Sequence, residues 1–165
     1  MNNFPEIPDE NMGGCLGFRF APYEDVLSFP DATNGVITSP VSFKPGKGFL
    51  TGYASPGSLS FDQDQKDTPA GPAYTVLAKA FYPGSSAAAA SLFAEMAWHR
   101  YILEITDASG KLRLAGTPET PLRFIHRHKT GSLAADRLGY EIEFSTVQAK
   151  PCPYYELPGQ GSPVL

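Results

Sequence analysis

Two histidines stand two residues apart in "LRFIHRHK", His126 and His128. On a strand that spacing puts both imidazoles on one face, where with His99 or a cysteine they are weak candidates for a zinc site. Zinc wants at least three protein ligands, and neither paired cysteines nor a His-Glu-x-x-His spacing accompanies these two. Beside Arg127 and Lys129 they read instead as the solvated end of a strand. Two aspartate-bearing stretches raise the question of calcium. In "TDASGK", Asp107 and Ser109 supply two oxygens, but the longer acidic series and distant glutamate of a calcium loop are missing. In "DQDQKD", Asp62 and Asp64 are suitably spaced, yet Lys66 stands where a third ligand belongs and its charge would repel a cation.

Nucleophilic and nucleotide chemistry find less support. "GYASPG" sets Ser55 three residues after Gly52 rather than two, without the strand-to-helix context of a nucleophile elbow. No phosphate-cradling G-x-x-x-x-G-K-[ST] or G-x-G-x-x-G occurs. Glu141 and Glu143 share a face, but nearby basic residues account for them as surface pairs rather than an acid/base couple. Each polar cluster has a structural explanation that costs less than a catalytic one. The residues therefore point to a protein that is not an enzyme and carries no cofactor or metal.

The elements that hold these residues follow from periodicity. "CLGFRFAP" alternates, with Leu16, Phe18 and Phe20 on one face and Arg19 on the other, as in a half-buried strand. Residues 26–48 are broken by prolines and by Asn34-Gly35, and read as loops with one or two short extended pieces. "FLTGYA" and "SLSFDQDQ" read as paired strands around a Ser55-Pro56-Gly57 turn, followed by a polar loop "DQDQKDTPAGP". "AYTVLAKAFYP" is a strand rich in aromatic and β-branched residues. The chain then changes character at "GSSAAAASLFAEMAWHR". Ser85 or Ser86 can cap a helix at about 86–98, and Ala89, Leu92, Phe93 and Met96 form its apolar stripe.

Beyond the helix the strands resume. Tyr101, Leu103 and Ile105 share one face, and Leu112 and Leu114 share a face of the next strand. Between them Asp107-Ala108-Ser109-Gly110 is written as a hairpin loop, with an aspartate to bond its own backbone and a glycine to take positive φ. In "GYEIEFST", Tyr140, Ile142 and Phe144 alternate with Glu141, Glu143 and Ser145. Lys111, Arg113, Arg123 and Arg127 fall on polar phases, giving an antiparallel sheet with one wet surface. Ile125 interrupts that surface and marks a subunit contact. The tail "KPCPYYELPGQGSPVL" is too proline-rich for a central strand and reads as an extended arm.

The whole is a mainly β protein, an antiparallel β-sandwich or barrel with one α-helix packed on the sheet. The expected organisation is a flexible leader at 1–13, a single domain at 14–149 and a C-terminal arm at 150–165. Sixteen glycines and sixteen prolines beside eleven phenylalanines and eight tyrosines suit short strands and many loops. A formal net charge of -4 with no basic stripe argues against nucleic acid. No apolar run is long enough to cross a bilayer as a helix, and no export signal is visible, so Cys15 and Cys152 are expected as free thiols.

The order "GCLGFRFAPYEDVLSFPD", then "GFLTGY", "GSLSFDQDQKDTPAGPAYTVLAKAFYPG", and "RYILEITDASGKLRLAGTPETPLRFIHRHKTGS" through "GYEIEFS" to the terminal "PYY" resembles small structural proteins of phage tail and baseplate gene clusters from gut Bacteroidetes phages and prophages. The resemblance covers most of residues 14–155. It implies a virion structural protein assembled in the bacterial cytoplasm, forming a homo-oligomeric ring or docking to other tail proteins. Interaction residues would be Ile125, Tyr154 and Tyr155, and segments 26–48, 62–72 and 150–165 would order on binding. A competing expectation is a β-sandwich module binding a small ligand or carbohydrate in a cleft lined by Tyr53, Tyr74, Tyr82 and Trp98. A third is an enzyme using His126 and His128 with a metal.

Overall fold

The computed structural model describes residues 13–132 and 136–157, so most of the expected leader and the end of the expected arm lie outside the described residues. The architecture is mainly β, with one α-helix among the described residues. The first strands are β1 (Cys15–Pro22), β2 (Val26–Ser28), β3 (Val36–Ile37), β4 (Ser42–Phe43) and β5 (Leu50–Thr51). Two long strands follow, β6 (Ser60–Thr68) and β7 (Gly71–Pro83), and then helix α1 (Ala87–Met96). The remainder is β8 (Arg100–Asp107), β9 (Leu112–Ala115), β10 (Leu122–Lys129), β11 (Gly139–Gln148) and β12 (Tyr154–Tyr155).

Ten strands form one curled sheet, in which β6, β7, β11, β10 and β8 are successive neighbours. From β8 the sheet divides: β1 and β5 continue it on one side, and β9, β12 and β3 on the other. All these pairings are antiparallel except β12 with β3. β2 and β4 make a separate two-stranded ribbon.

The two faces of β8 explain the layers. Tyr101, Leu103 and Ile105 point into the main core with Phe18, Val76, Phe124, Ile142 and Phe144. Ile102 and Glu104, on the opposite phase, are buried as well. The strand is covered on both sides because a second apolar cluster, Ile37, Val41, Leu114 and Tyr155, forms beyond it with Phe29, Phe43 and Phe49 packed against it. Segment 26–48, expected to be loops free to bind a partner, is thus the cover of a second core.

Helix α1 begins where its cap predicts: the Ser86 hydroxyl accepts from the Ala89 amide at 3.1 Å. Its buried residues are Ala89, Phe93 and Met96. Phe93 packs on the rings of Tyr82, Phe124 and Tyr140, which seats the helix on the sheet as expected. Leu92, assigned to the same stripe, is exposed.

Two strand assignments differ from the sequence reading. β5 pairs with β1, not with β6, and β6 pairs with β7 along its whole length. The polar run 62–68 is therefore strand rather than loop, and Pro69-Ala70 makes the turn. The C-terminal segment also joins the sheet instead of leaving it as an arm. Tyr154 and Glu156 donate their amides to Gly35 and Ile37, and Pro153 only accepts, from the Leu114 amide. A proline costs a ladder nothing where its nitrogen is not needed as a donor.

Candidate functional site

The "TDASGK" loop is a hairpin bend. The Asp107 carboxylate accepts from the Ser109 amide (2.9 Å), the Ser109 hydroxyl (2.6 Å) and the Lys111 amide (3.0 Å). Gly110 takes the positive φ of +79° that closes the turn. The aspartate oxygen is thereby committed to the bend itself.

The histidines sit on the inward phase of β10 with Phe124. His126 stacks on Phe124 and lies beside Phe93 and Tyr140. His128 is exposed, lies against the ring of Tyr140, and meets the Ser85 hydroxyl through Nε2 at 3.0 Å. His99 is occupied elsewhere, with Nδ1 3.2 Å from Glu24. Among the described residues no three His, Cys, Asp or Glu side chains converge where an ion could be held.

The outer face of the sheet carries the strongest polar pattern. Arg123, Ile125, Arg127 and Lys129 project from β10 next to Glu141 and Glu143 of β11. Arg127 pairs with Glu143 and Lys129 with Glu141, each at 3.7 Å. With Lys79, Phe81 and Arg137 they line an open groove of about 580 Å³. Ile125 is half-buried on this face, opposite Glu143.

Beside that face the sheet has an open margin. β10 runs along β11 from Arg123 to Lys129 but meets β8 only at Leu122 and Arg123. From Phe124 onward its other edge has no strand partner among the described residues. β6 is the second open margin, being paired only with β7 among the described residues. Its beginning faces Cys15 and Asp107 across a cavity of about 360 Å³ that Arg113 also lines. Residues 64–68 are exposed.

Tyr154 and Tyr155, expected as interaction residues, are used within the chain. Tyr155 is buried and its hydroxyl accepts from the Val41 amide at 3.1 Å. Tyr154 bonds Arg113 through its hydroxyl, and the guanidinium lies 4.0 Å from the centre of its ring. Arg113 is accordingly not on the wet surface assigned to it: it pairs with Ile105, on the inward phase, and there donates to the Tyr154 hydroxyl and lies over its ring. The four residues expected to line a ligand cleft are not brought together. Tyr53 touches Tyr82, but Tyr74 is eight residues along β7, roughly 26 Å away. Trp98 is 86% exposed.

A groove that sequence reasoning missed lies between residues 29–32, loop 116–120 and residues 148–153, with a volume of about 600 Å³. Gln148, which lines it, is buried, and its Nε2 donates to the Lys150 carbonyl (2.7 Å) and Cys152 Sγ (3.3 Å). Its Oε1 has no hydrogen-bond partner among the described residues. No sequence signal marks this site, because a single glutamine at a strand end has no pattern to carry it. Cys15 and Cys152 are both free thiols. Burial pushes the Cys152 thiol up to about 11, against the pull of its Gln148 hydrogen bond. Burial, then the nearby Asp107 and Asp62 carboxylates, raise Cys15. Both are held as neutral thiols, the opposite of an activated nucleophile.

These features define a curled, antiparallel-rich β fold of sandwich or barrel type with one packed helix and open strand margins. Comparison with family models, with curated proteins and with solved structures finds no match to this chain. No helix of the described residues is long and apolar enough to cross a membrane.

Proposed function

We propose that this chain is a non-catalytic structural protein of a phage or prophage tail or baseplate, working through self-association or docking to neighbouring tail proteins in the virion. The observation that carries the self-association is the open margin of β10, with Ile125 half-buried beside it on a charged sheet face, and the tail setting rests on the resemblance of residues 14–155. Unpaired strand edges invite pairing with another chain, and soluble monomers normally cover or break them. Supporting it, the reactive side chains are committed to structure: Asp107 to its bend, the histidines to aromatic packing, and the thiols to the neutral form. Size-exclusion chromatography with light scattering tests it, and a concentration-dependent oligomer is the expected result. A monomer at all concentrations, alone and with the products of neighbouring tail genes, refutes it.

The groove around Gln148 favours one second reading, a module binding a small polar ligand or carbohydrate. An acceptor oxygen without a donor is costly when buried, and a hydroxyl-bearing ligand would supply one. Saturation-transfer NMR against a panel of methyl glycosides tests it: signals abolished by Gln148→Leu support the reading, and no transfer from any glycoside rejects it.

A further inference from the structure

The two open margins carry opposite charge. β10, "LRFIHRHK", contains Arg123, Arg127 and Lys129 and no carboxylate, with Arg127 and Lys129 shared with Glu143 and Glu141 of β11 at 3.7 Å. β6, "SFDQDQKDT", contains Asp62, Asp64 and Asp67 against the single Lys66. The two are also similar in length: the exposed part of β6, residues 64–68, spans about 17 Å, and the unpartnered part of β10, residues 124–129, about 20 Å. Neither stretch contains a proline or a bulge that would block a new ladder. The end of the β6–β7 hairpin projects as well. Its last rungs, Lys66 with Ala73 to Thr68 with Gly71, extend past the end of β11, which begins pairing with β7 at Tyr74.

We infer that the chain assembles head to tail, the acidic edge of β6 in one copy pairing with the basic edge of β10 in the next. This rests on the self-association reading above and specifies its two surfaces. Charge favours one geometry. Like charges placed opposite one another destabilise a strand pair, which sets Arg123, Arg127 and Lys129 of β10 against a second β10. A second β6 can oppose Asp64 to Lys66, but each copy then keeps two uncompensated carboxylates on the edge. The unlike pair offsets charge on both strands, and a contact between two different surfaces is heterologous. Repeated, it gives a ring where the rotation closes and a filament where it does not. Ile125 lies on the strand that receives the neighbour, which accounts for an apolar residue on a charged face. The projecting hairpin supplies reach without disturbing the core.

The test uses the full chain and two variants altered at exposed positions. Asp64→Lys with Asp67→Lys spoils the β6 edge and leaves β10 intact. Arg127→Gln with Lys129→Gln spoils the β10 edge and leaves β6 intact, without setting like charges beside Glu141 and Glu143. Circular dichroism melts establish that both fold. In sedimentation velocity the wild-type chain forms higher oligomers that added salt dissociates. Each variant alone is monomeric, and an equimolar mixture forms 1:1 dimers and nothing larger, because one good edge of each kind remains. Variants that assemble like the wild type, or a mixture that stays monomeric, overturn the edge pairing while self-association stands. A wild-type chain that remains monomeric alone, at every concentration, overturns the edge pairing; if it also fails to join neighbouring tail proteins, the functional reading falls with it.

Discussion

Arg19 and Glu104 face each other across the β1–β8 seam, and replacing Arg19 with methionine tests how that seam is held. The guanidinium grips the carboxylate with two bonds, Nε to Oε1 at 2.7 Å and Nη2 to Oε2 at 2.8 Å. Glu104 is 3% exposed while the Arg19 side chain is 44% exposed. The asymmetry sets the magnitude. Removing arginine leaves a buried carboxylate with no cation, a change that costs about 3–5 kcal/mol when both partners are buried. Because water reaches the arginine side, the lower end applies, about 3 kcal/mol. For a chain of this size that corresponds to a fall of roughly 6–12 °C in Tm, at about 2–4 °C per kcal/mol. Arg19→Met combined with Glu104→Leu removes the stranded charge and recovers most of the loss, since an apolar pair of similar volume is about neutral there. Thermal and urea melts of the single and double variants supply the measurement. If Arg19→Met lies within about 1 kcal/mol of wild type, the pair behaves as an exposed one and the reasoning fails.

Other expected outcomes follow from single contacts. Phe93→Ala removes the ring that seats α1 against Tyr82, Phe124 and Tyr140 and is expected to cost about 3–5 kcal/mol in a urea melt. Gly139→Ala places a methyl group 2.2 Å from the Tyr82 carbonyl oxygen, a backbone atom that cannot turn aside, and should destabilise by at least about 1–3 kcal/mol. Cys152 keeps its proton to about 11, against an ordinary 9.0. The folded state therefore binds more protons than the unfolded one in this range, and stability is full below pH 9 and lost as pH rises toward 11. Alkaline melts should show this decline, and Cys152→Ala should reduce it without abolishing it, because burial also raises Cys15 and holds the Tyr101 proton to about 12. Chelator treatment is expected to leave Tm unchanged, and a drop reversed by zinc would reinstate His126 and His128 as ligands.

What could be read in advance was what local pattern dictates. Ser86 and the alanine run announced α1, Asp107 and Gly110 announced the β8–β9 bend, and the alternation of Tyr140, Ile142 and Phe144 announced β11. The misreadings share a cause: the deciding contact is remote in sequence. The end of β6, residues 66–68, has no apolar alternation to declare itself a strand, and becomes one because β7 offers a complete ladder. Arg113 and Arg19 look like wet-face residues until Tyr154 and Glu104 arrive from other strands. Leu112 and Leu114 do share a face, but it is turned to a second core built by residues 26–49, which proline spacing alone presents as loop. Ile125 was visible as an oddity on a polar strand, whereas the open margin beside it depends on where β8 stops pairing.

The measurement that bears most directly on the central claim is mass photometry of the purified chain as its concentration is raised. The account predicts a monomer giving way to an oligomer of higher mass built by repeated addition of the same subunit. A single monomeric species throughout, unchanged when the proteins encoded by neighbouring genes are added, contradicts it.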